Sequence, residues 1–425
     1  MEEKVIGKCI LFGVNGMERR DVMSENGGRK MYGIAVDVGT TTLAMQLVDM
    51  DTKEICATYS ALNSQRFYGA DVLRRINAAN RGKADHLQEM VCEDIRKGIQ
   101  KLLKDNGLGA WQLLKIVIAC NTTMVHLLMH LSCETLGVYP FTPITLSRIE
   151  PDAEIHTSIL PGISAYIGGD IVAGLMACDF DRTADRSLFL DLGTNGEMVI
   201  GNRYELICTS TAAGPAFEGG NISAGTGGIA GAICAVTISR IARNDLKCEI
   251  QTIGDEPPIG ICGAGLVEAV SELLRANIID ETGCYIDSYF DEGYVLGTTS
   301  SGKAICLTQQ DIREFQMAKA AIRAGLELLI ARYDIPYHEI KHVYLAGGLG
   351  QYINIEKAVQ VGLFPKELQG RISAVGNTSL RGAYLDITEP EAKAREEALI
   401  AVAKDFPLAL DDDFNELYMK YMYFE

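Results

Sequence analysis

Closely spaced cysteines are missing from this sequence. Its twelve cysteines are scattered, and the nearest two, Cys120 and Cys133, stand 13 positions apart. Zinc and iron–sulfur sites generally use at least one close pair such as C-x2-C or C-x4-C. No iron–sulfur cluster is therefore expected in this chain, and the thiols read as small apolar residues in a reducing compartment. Positive charge is short as well: 39 Lys and Arg face 56 Asp and Glu, for a net charge of −17. Such a balance argues against a nucleic acid or an anionic membrane as the main partner. No run reaches the roughly 18 apolar residues of a membrane span. The opening MEEKVIGKCILFG is acidic where a signal peptide is basic, so a cytoplasmic location is expected. Only one tryptophan, Trp111, is present to stack on a sugar ring.

What is present is a soluble composition, 48% hydrophobic and 22% charged over 425 residues. A single core stops growing near about 250–300 residues, so two domains are expected. A three-part order then occurs twice. The first part is a hairpin pattern, MYGIAVDVGTTTLAMQLVD (31–49), echoed by SLFLDLGTNGEMVIGN (187–202). In each, an apolar β-rich run meets an Asp, a Gly-Thr turn and a second apolar run. The second part is a strand running into a helix start: KIVIACNTTMVHLLM (115–129), then HVYLAGGLGQYINIEKAV (342–359). The third is a small-residue helix, GGDIVAGLMACDF (168–180), then GNTSLRGAYLDI (376–387).

Between these parts, 69–106 and 308–333 have helical periodicity, as does 389–405. Asp411-Asp412-Asp413 reads as the cap of a final helix. Residues 1–30 show no strong period and read as an extended lead-in.

The two Gly-Thr turns carry the chemistry. Gly39, Thr40, Thr41 and Thr42 in the first, and Gly193, Thr194, Asn195 and Gly196 in the second, offer backbone N–H groups and hydroxyls to an anion. Asp37 and Asp191 cannot face phosphate directly, which points to a magnesium ion held mostly through water. The bare backbone of Gly347, Gly348 and Gly350 suits a flat adenine packed on the main chain. Gln316, Lys319 and Arg323 form one helical stripe that either reaches the adenosine or is a solvated face. Asp170, just after Gly168-Gly169, is either a helix N-cap or the carboxylate that orients the attacking group on the γ-phosphate.

AVDVGTTT, GGDIVAGLMA, LDLGTNGE, LAGGLG and GNTSLRGA stand in the order of the phosphate 1, connect 1, phosphate 2, adenosine and connect 2 elements. The chain thus resembles the actin, sugar-kinase and heat-shock chaperone (ASKHA) superfamily. Further strings are similar to a narrower group, the ATP-dependent reductive activators of corrinoid proteins. These are NSQRFYGADVLRRI (63–76), ACNTTMVHLL (119–128), STAAGPAFEGGNIS (210–223), GICGAGLVEAV (260–270), LTQQDIREFQMAKAAIRAG (307–325) and VGNTSLRGA (375–383).

The resemblance implies an α/β fold of two RNase H-like, actin-like ATPase lobes with a nucleotide cleft between them. The expected division is a lead-in (1–30), a first lobe (31–182), a second lobe (183–375), and a connect 2 helix with a C-terminal segment (376–425) returning to the first lobe. The resemblance implies ATP and Mg2+ as cofactors, weak ATP hydrolysis, and catalytic roles for Asp170, Asp37 and Asp191. Its implied partners are a corrinoid protein or methyltransferase component and a separate reductase or ferredoxin-type electron donor, with a homodimer as a further expectation. The alternative is a small-molecule, sugar-type kinase of the same superfamily. One departure from the activators is SAGTGGIAGA (223–232), unusually rich in glycine.

Overall fold

The computed structural model describes residues 30–424, apart from 70, 152, 154, 243–244, 287 and 351. The expected lead-in falls outside the described residues, save Lys30. The chain divides into two compact units: described residues through Arg182 together with Asn377–Asp405, and Thr183–Gly376 together with the segment from Phe406.

In the first unit the sheet runs Ile55–Leu62, Thr42–Asp49, Tyr32–Val38, Leu113–Cys120, His156–Ile159. The first three strands pair antiparallel and the last two join in parallel. Strand Tyr32–Val38 is buried along nearly its whole length because both faces of the sheet are covered, which explains its unbroken apolar run. On one face Ile34, Val36, Met45 and Leu47 meet Leu87, Val91 and Ile95 of the helix Ala84–Asp105. On the other, Ala35, Val117 and Ala119 meet Ala173, Leu380 and Ala383. Those last three lie on the helices Gly169–Ala177 and Thr378–Thr388. These helices are rich in small residues because they nearly touch: a Cβ on Gly382 would lie 2.3 Å from Ala173 O.

The second unit repeats the plan. Its main sheet contains, in order, Ile372–Gly376, His342–Ala346, Ser187–Leu192, Gly196–Asn202 and Glu205–Thr211. Along the chain three antiparallel strands are again followed by two parallel ones, so Asp37 and Asp191 occupy equivalent sites. Asp37 lies opposite Ala119, and Asp191 opposite Ala346. Additions to this unit include the sheet of Ala232–Ala242, Asp245–Thr252 and Gly260–Ile261, and the hairpin Tyr294–Thr298 with Ala304–Leu307. The long helix Gln309–Tyr333 forms as its periodicity predicts, started by a reciprocal Thr308–Asp311 capping box.

Local expectations need correction in four places. The 69–106 helix is interrupted: Val72–Ala78 and Ala84–Asp105 are joined through Arg81 and Gly82, where Gly82 adopts φ +82°. The final helix, Asp413–Tyr421, has no side-chain cap from Asp412; Asp411 instead accepts the Asp413 N–H at 3.0 Å. The 389–405 stretch is helical only over Ala392–Val402. The C-terminal segment does not stay wholly with the first unit. From Phe406 it groups with the second, where the Phe424 ring stacks on Phe315 at 6.2 Å and Phe424 N–H donates to Glu281 O.

Candidate nucleotide site

In the first unit the Gly-Thr turn is held from behind. Asn63 Nδ2 donates to Gly39 O (2.9 Å), and the Asn63 N–H donates to Thr41 O (2.9 Å). The Arg75 guanidinium donates to Thr40 O, to Gly69 O (3.1 Å) and to Gln65 Oε1 (3.3 Å). Asn63, Gln65 and Arg75 are buried. In a planar trans peptide the N–H points away from the carbonyl of the same unit. Pinning the Gly39 and Thr40 carbonyls inward therefore turns the N–H groups of Thr40 and Thr41 the opposite way. Asn121 fixes the turn from the side, donating Nδ2 to Thr40 Oγ1 (3.2 Å) while its Oδ1 caps the helix Thr122–Leu128.

Asp37 is the next-to-last residue of the central strand, just before this turn. Asn377 Nδ2 donates to one of its oxygens (2.7 Å) and Ser379 Oγ to the other (2.8 Å). Burial pushes the Asp37 carboxyl above the ordinary carboxylate value, and these two donors pull it partly back. Asn377 also caps the helix Thr378–Thr388 through Leu380 N–H, so the start of that helix is fastened to Asp37. Its other end is fastened by Asp386, which accepts from Arg148 Nη1 (2.7 Å) and Nη2 (3.1 Å) and lies 2.8 Å from Lys115 Nζ. Arg148 also donates to Glu396 (2.9 Å).

Asp170 sits in the first turn of Gly169–Ala177, but the cap position belongs to Gly168, so the N-cap reading is corrected. Asp170 Oδ1 accepts the Ile171 N–H at 2.9 Å. A Cβ on Gly168 would fall 2.5 Å from Asn121 Cα, and only glycine permits that approach. Asp170 and Asp37 lie at one end of the sheet: burial first, then both carboxylates, raise the Cys120 thiol well above its usual value.

In the second unit Gly193 N–H donates to Asn195 O (2.9 Å), closing the turn before Gly196. Thr194 Oγ1 donates to Glu218 Oε2 at 2.6 Å. Gly347 has φ +84°, and a Cβ there would lie 2.7 Å from Asp191 Oδ1. Gly347 thus brings the start of the Gly347–Gly350 turn against Asp191, while Gly348 faces open space. Gln316, Lys319 and Arg323 are buried rather than solvated. Gln316 donates to Met422 O (2.6 Å), Lys319 to Tyr423 O (2.6 Å) and Arg323 to Gly362 O (3.3 Å).

The structure therefore gathers Asp37, Gly39–Thr42 and Asp170 in one unit, and Asp191, Gly193–Gly196 and Gly347 in the other. It directs Gln316 and Lys319 to the C-terminal segment. Sequence reasoning missed Asn63, Arg75, Glu218, Asn377 and Ser379 as neighbours of these groups. Each lies in a string that carried the family resemblance. Among the described residues, no group of three or more His, Cys, Asp or Glu is arranged to hold a metal ion directly, and no helix is long and apolar enough to cross a membrane.

Residues 32–183 match the family described as the RACo middle region, and residues 185–425 match the C-terminal domain of RACo, the ASKHA domain. This chain belongs to the RACo family. The RACo-family chain is 31% identical over 437 residues to the corrinoid activation enzyme RamQ of Eubacterium limosum, covering 96% of this chain and 72% of that protein. It is 27% identical to the Co(II) methylated amine-specific corrinoid protein reductase of Methanosarcina barkeri, covering 92% and 76% respectively. A solved structure of a reductive activator for corrinoid, iron-sulfur protein superposes with a TM-score of 0.86 at 33% identity, covering 94% of this chain and 67% of that one. The two similar sheets are thus the ASKHA fold, as the order of the five sequence elements implies.

Proposed function

We propose that this chain is a magnesium-dependent ATP-binding protein that hydrolyses ATP weakly and uses it to activate a corrinoid protein by reduction. The observation that carries the reading is the repeated turn. Asp37 and Asp191 are next to last in equivalent strands of two sheets of one topology, each followed by a Gly-Thr turn. The names of the relatives support a corrinoid protein as the partner.

Each unit contributes its own groups. In the first, the N–H groups of Thr40 and Thr41 and the Thr42 hydroxyl face phosphate oxygens. In the second, Gly193, Thr194, Asn195 and Gly196 do the same, and Gly347, Gly348 and Gly350 take the adenosine. Gln316 and Lys319 act on that side by anchoring the chain end. Magnesium, when bound, offsets charge on the phosphates. Asp37 and Asp191 would hold it through water, and each Asp37 oxygen accepts one side-chain hydrogen bond in the structure, leaving a lone pair to accept another. Asp170 orients water towards the γ-phosphorus and takes its proton as the bond to ADP breaks. The electron for cobalt(II) comes from a separate low-potential reductase or ferredoxin-type donor.

The test combines the chain, a corrinoid protein from the same organism, MgATP and a low-potential reductant, and follows cobalt(I) absorbance. Formation dependent on ATP and lost with Asp37→Ala and Asp191→Ala supports the reading. Equal cobalt(I) formation without this chain would overturn it. Wild-type ATP hydrolysis in either variant would overturn the magnesium assignment.

A further inference from the structure

We infer that the outward face of the segment carrying Arg75 is the docking surface for the protein partner, and that docking there acts on the first Gly-Thr turn. This deepens the reading proposed above and rests on it.

The helix Val72–Ala78 has two faces. Val72, Arg75 and Ile76 are buried, with Arg75 holding Thr40 O; Leu73 and Arg74 are exposed. The neighbouring surface is apolar where a monomer is usually polar. Phe67 is 78% exposed, Val138 65% and Tyr139 66%. The segments that carry them pack on the same helix, Val72–Ala78. A Cβ on Gly69 would lie 2.3 Å from Arg74 Cβ, and one on Gly137 would lie 3.0 Å from Ile76 Cγ2. Asn80 Nδ2 donates to Cys133 O at 3.4 Å, tying the loop that leads to Tyr139 onto the same segment. The Tyr139 ring meets Phe141 edge-on at 6.0 Å, and Phe141 meets Tyr166 at 5.4 Å. Exposed aromatic residues with arginines beside them are the usual composition of a binding hot spot.

Charge says what fits. Residues 63–83 contain five cations (Arg66, Arg74, Arg75, Arg81 and Lys83) and one acid, Asp71, in a chain of net charge −17. Arg74 pairs with Asp71, whereas Arg66, Arg81 and Lys83 are exposed. The acids on the adjoining segments include Asp94, whose carboxylate accepts the Ser64 N–H at 2.8 Å, with Asp85 and Glu134 exposed. This is a locally basic, aromatic surface on an acidic protein, suited to a partner with an acidic rim around an apolar contact. Under the function proposed above the occupant is the corrinoid protein, and this surface calls for that acidic rim on it.

The consequence is mechanical. A partner pressing on Leu73 and Phe67 loads the helix whose buried side holds Thr40 O and the turn (Asn63 to Gly69) whose Asn63 holds Gly39 O and Thr41 O. Docking is thereby linked to the orientation of the phosphate-facing N–H groups, and nucleotide and partner are coupled reciprocally.

The experiment measures affinity of the full chain for the corrinoid protein by titration calorimetry at two salt concentrations, with ATP hydrolysis in parallel. Arg66→Glu combined with Arg81→Glu, and separately Phe67→Ser, should each weaken binding at least about tenfold. Partner-free ATP hydrolysis should stay within about twofold of wild type, because none of the three side chains is bonded to either Gly-Thr turn. Wild-type affinity should fall with salt, and less so in the double variant. Unchanged affinity in the variants overturns the surface and leaves the corrinoid reading standing. Absence of wild-type binding overturns both. If the variants alter self-association instead, the face is a contact between copies of this chain and the inference fails.

Discussion

Glu396→Gln gives a quantitative test of how the first unit is held together. Glu396 is almost fully buried beside Arg148 and Asp386, and its Oε1 has no hydrogen-bond partner among the described residues. Burial pushes its carboxyl up to about 8 from an ordinary 4.5; the Arg148 charge opposes the rise and the Asp386 charge adds to it. The folded chain therefore retains a proton that the unfolded chain releases. Stability from this group is fully present below pH 4.5 and is lost as pH rises through about 8. At about 1.4 kcal/mol per unit, moving from about pH 5 to about pH 7.5 should destabilise the wild type by on the order of 3 kcal/mol through this group alone. Glutamine keeps the neutral shape and an acceptor for Arg148 but cannot ionise, so the variant should lack this component of the slope. Urea unfolding at the two pH values, followed by circular dichroism, gives the difference. Hydrogen exchange in Ala392–Val402 assigns it to this unit. Parallel pH slopes in wild type and variant would refute the buried neutral carboxyl, because every other titrating group is common to both.

Three further outcomes follow from the geometry. Ser379→Ala removes a donor that favours ionised Asp37, so the acidic limb of a pH–hydrolysis profile should move to higher pH; an unmoved limb would exclude Asp37 as its source. Gly168→Ala places a Cβ 2.5 Å from Asn121 Cα, and thermal unfolding should reveal a loss of about 1–3 kcal/mol with reduced hydrolysis as Asp170 shifts. Phe424→Ala removes the ring that stacks on Phe315 and covers Lys319 Nζ at 4.9 Å, and should cost about 3–5 kcal/mol in denaturant unfolding.

Much of the architecture was legible because it is written in local pattern. Strands Tyr32–Val38 and Ser187–Leu192 are apolar runs ending at Gly-Thr turns, and their recurrence exposed the duplicated plan. Helix Gln309–Tyr333 announced itself by periodicity alone. Asp37 and Asp191 were legible as candidates from their place before each turn. Their surroundings were not. The donors to Asp37 stand 340 and 342 positions away in sequence, and the Glu218 that accepts from Thr194 stands 24 away. No short-range period encodes such pairings.

The stripe of Gln316, Lys319 and Arg323 marks the same boundary. Helical spacing alone placed the three on one face, since 3.6 residues per turn is a property of the backbone. Whether that face met solvent, nucleotide or protein was decided by the segment from Phe406, which brings the carbonyls of Met422 and Tyr423 to Gln316 and Lys319. The sequence by itself determined the elements and which side chains share a face. Only the tertiary structure decided which distant group satisfies each buried donor, because a charged or polar group out of water must find its partner wherever the fold places one.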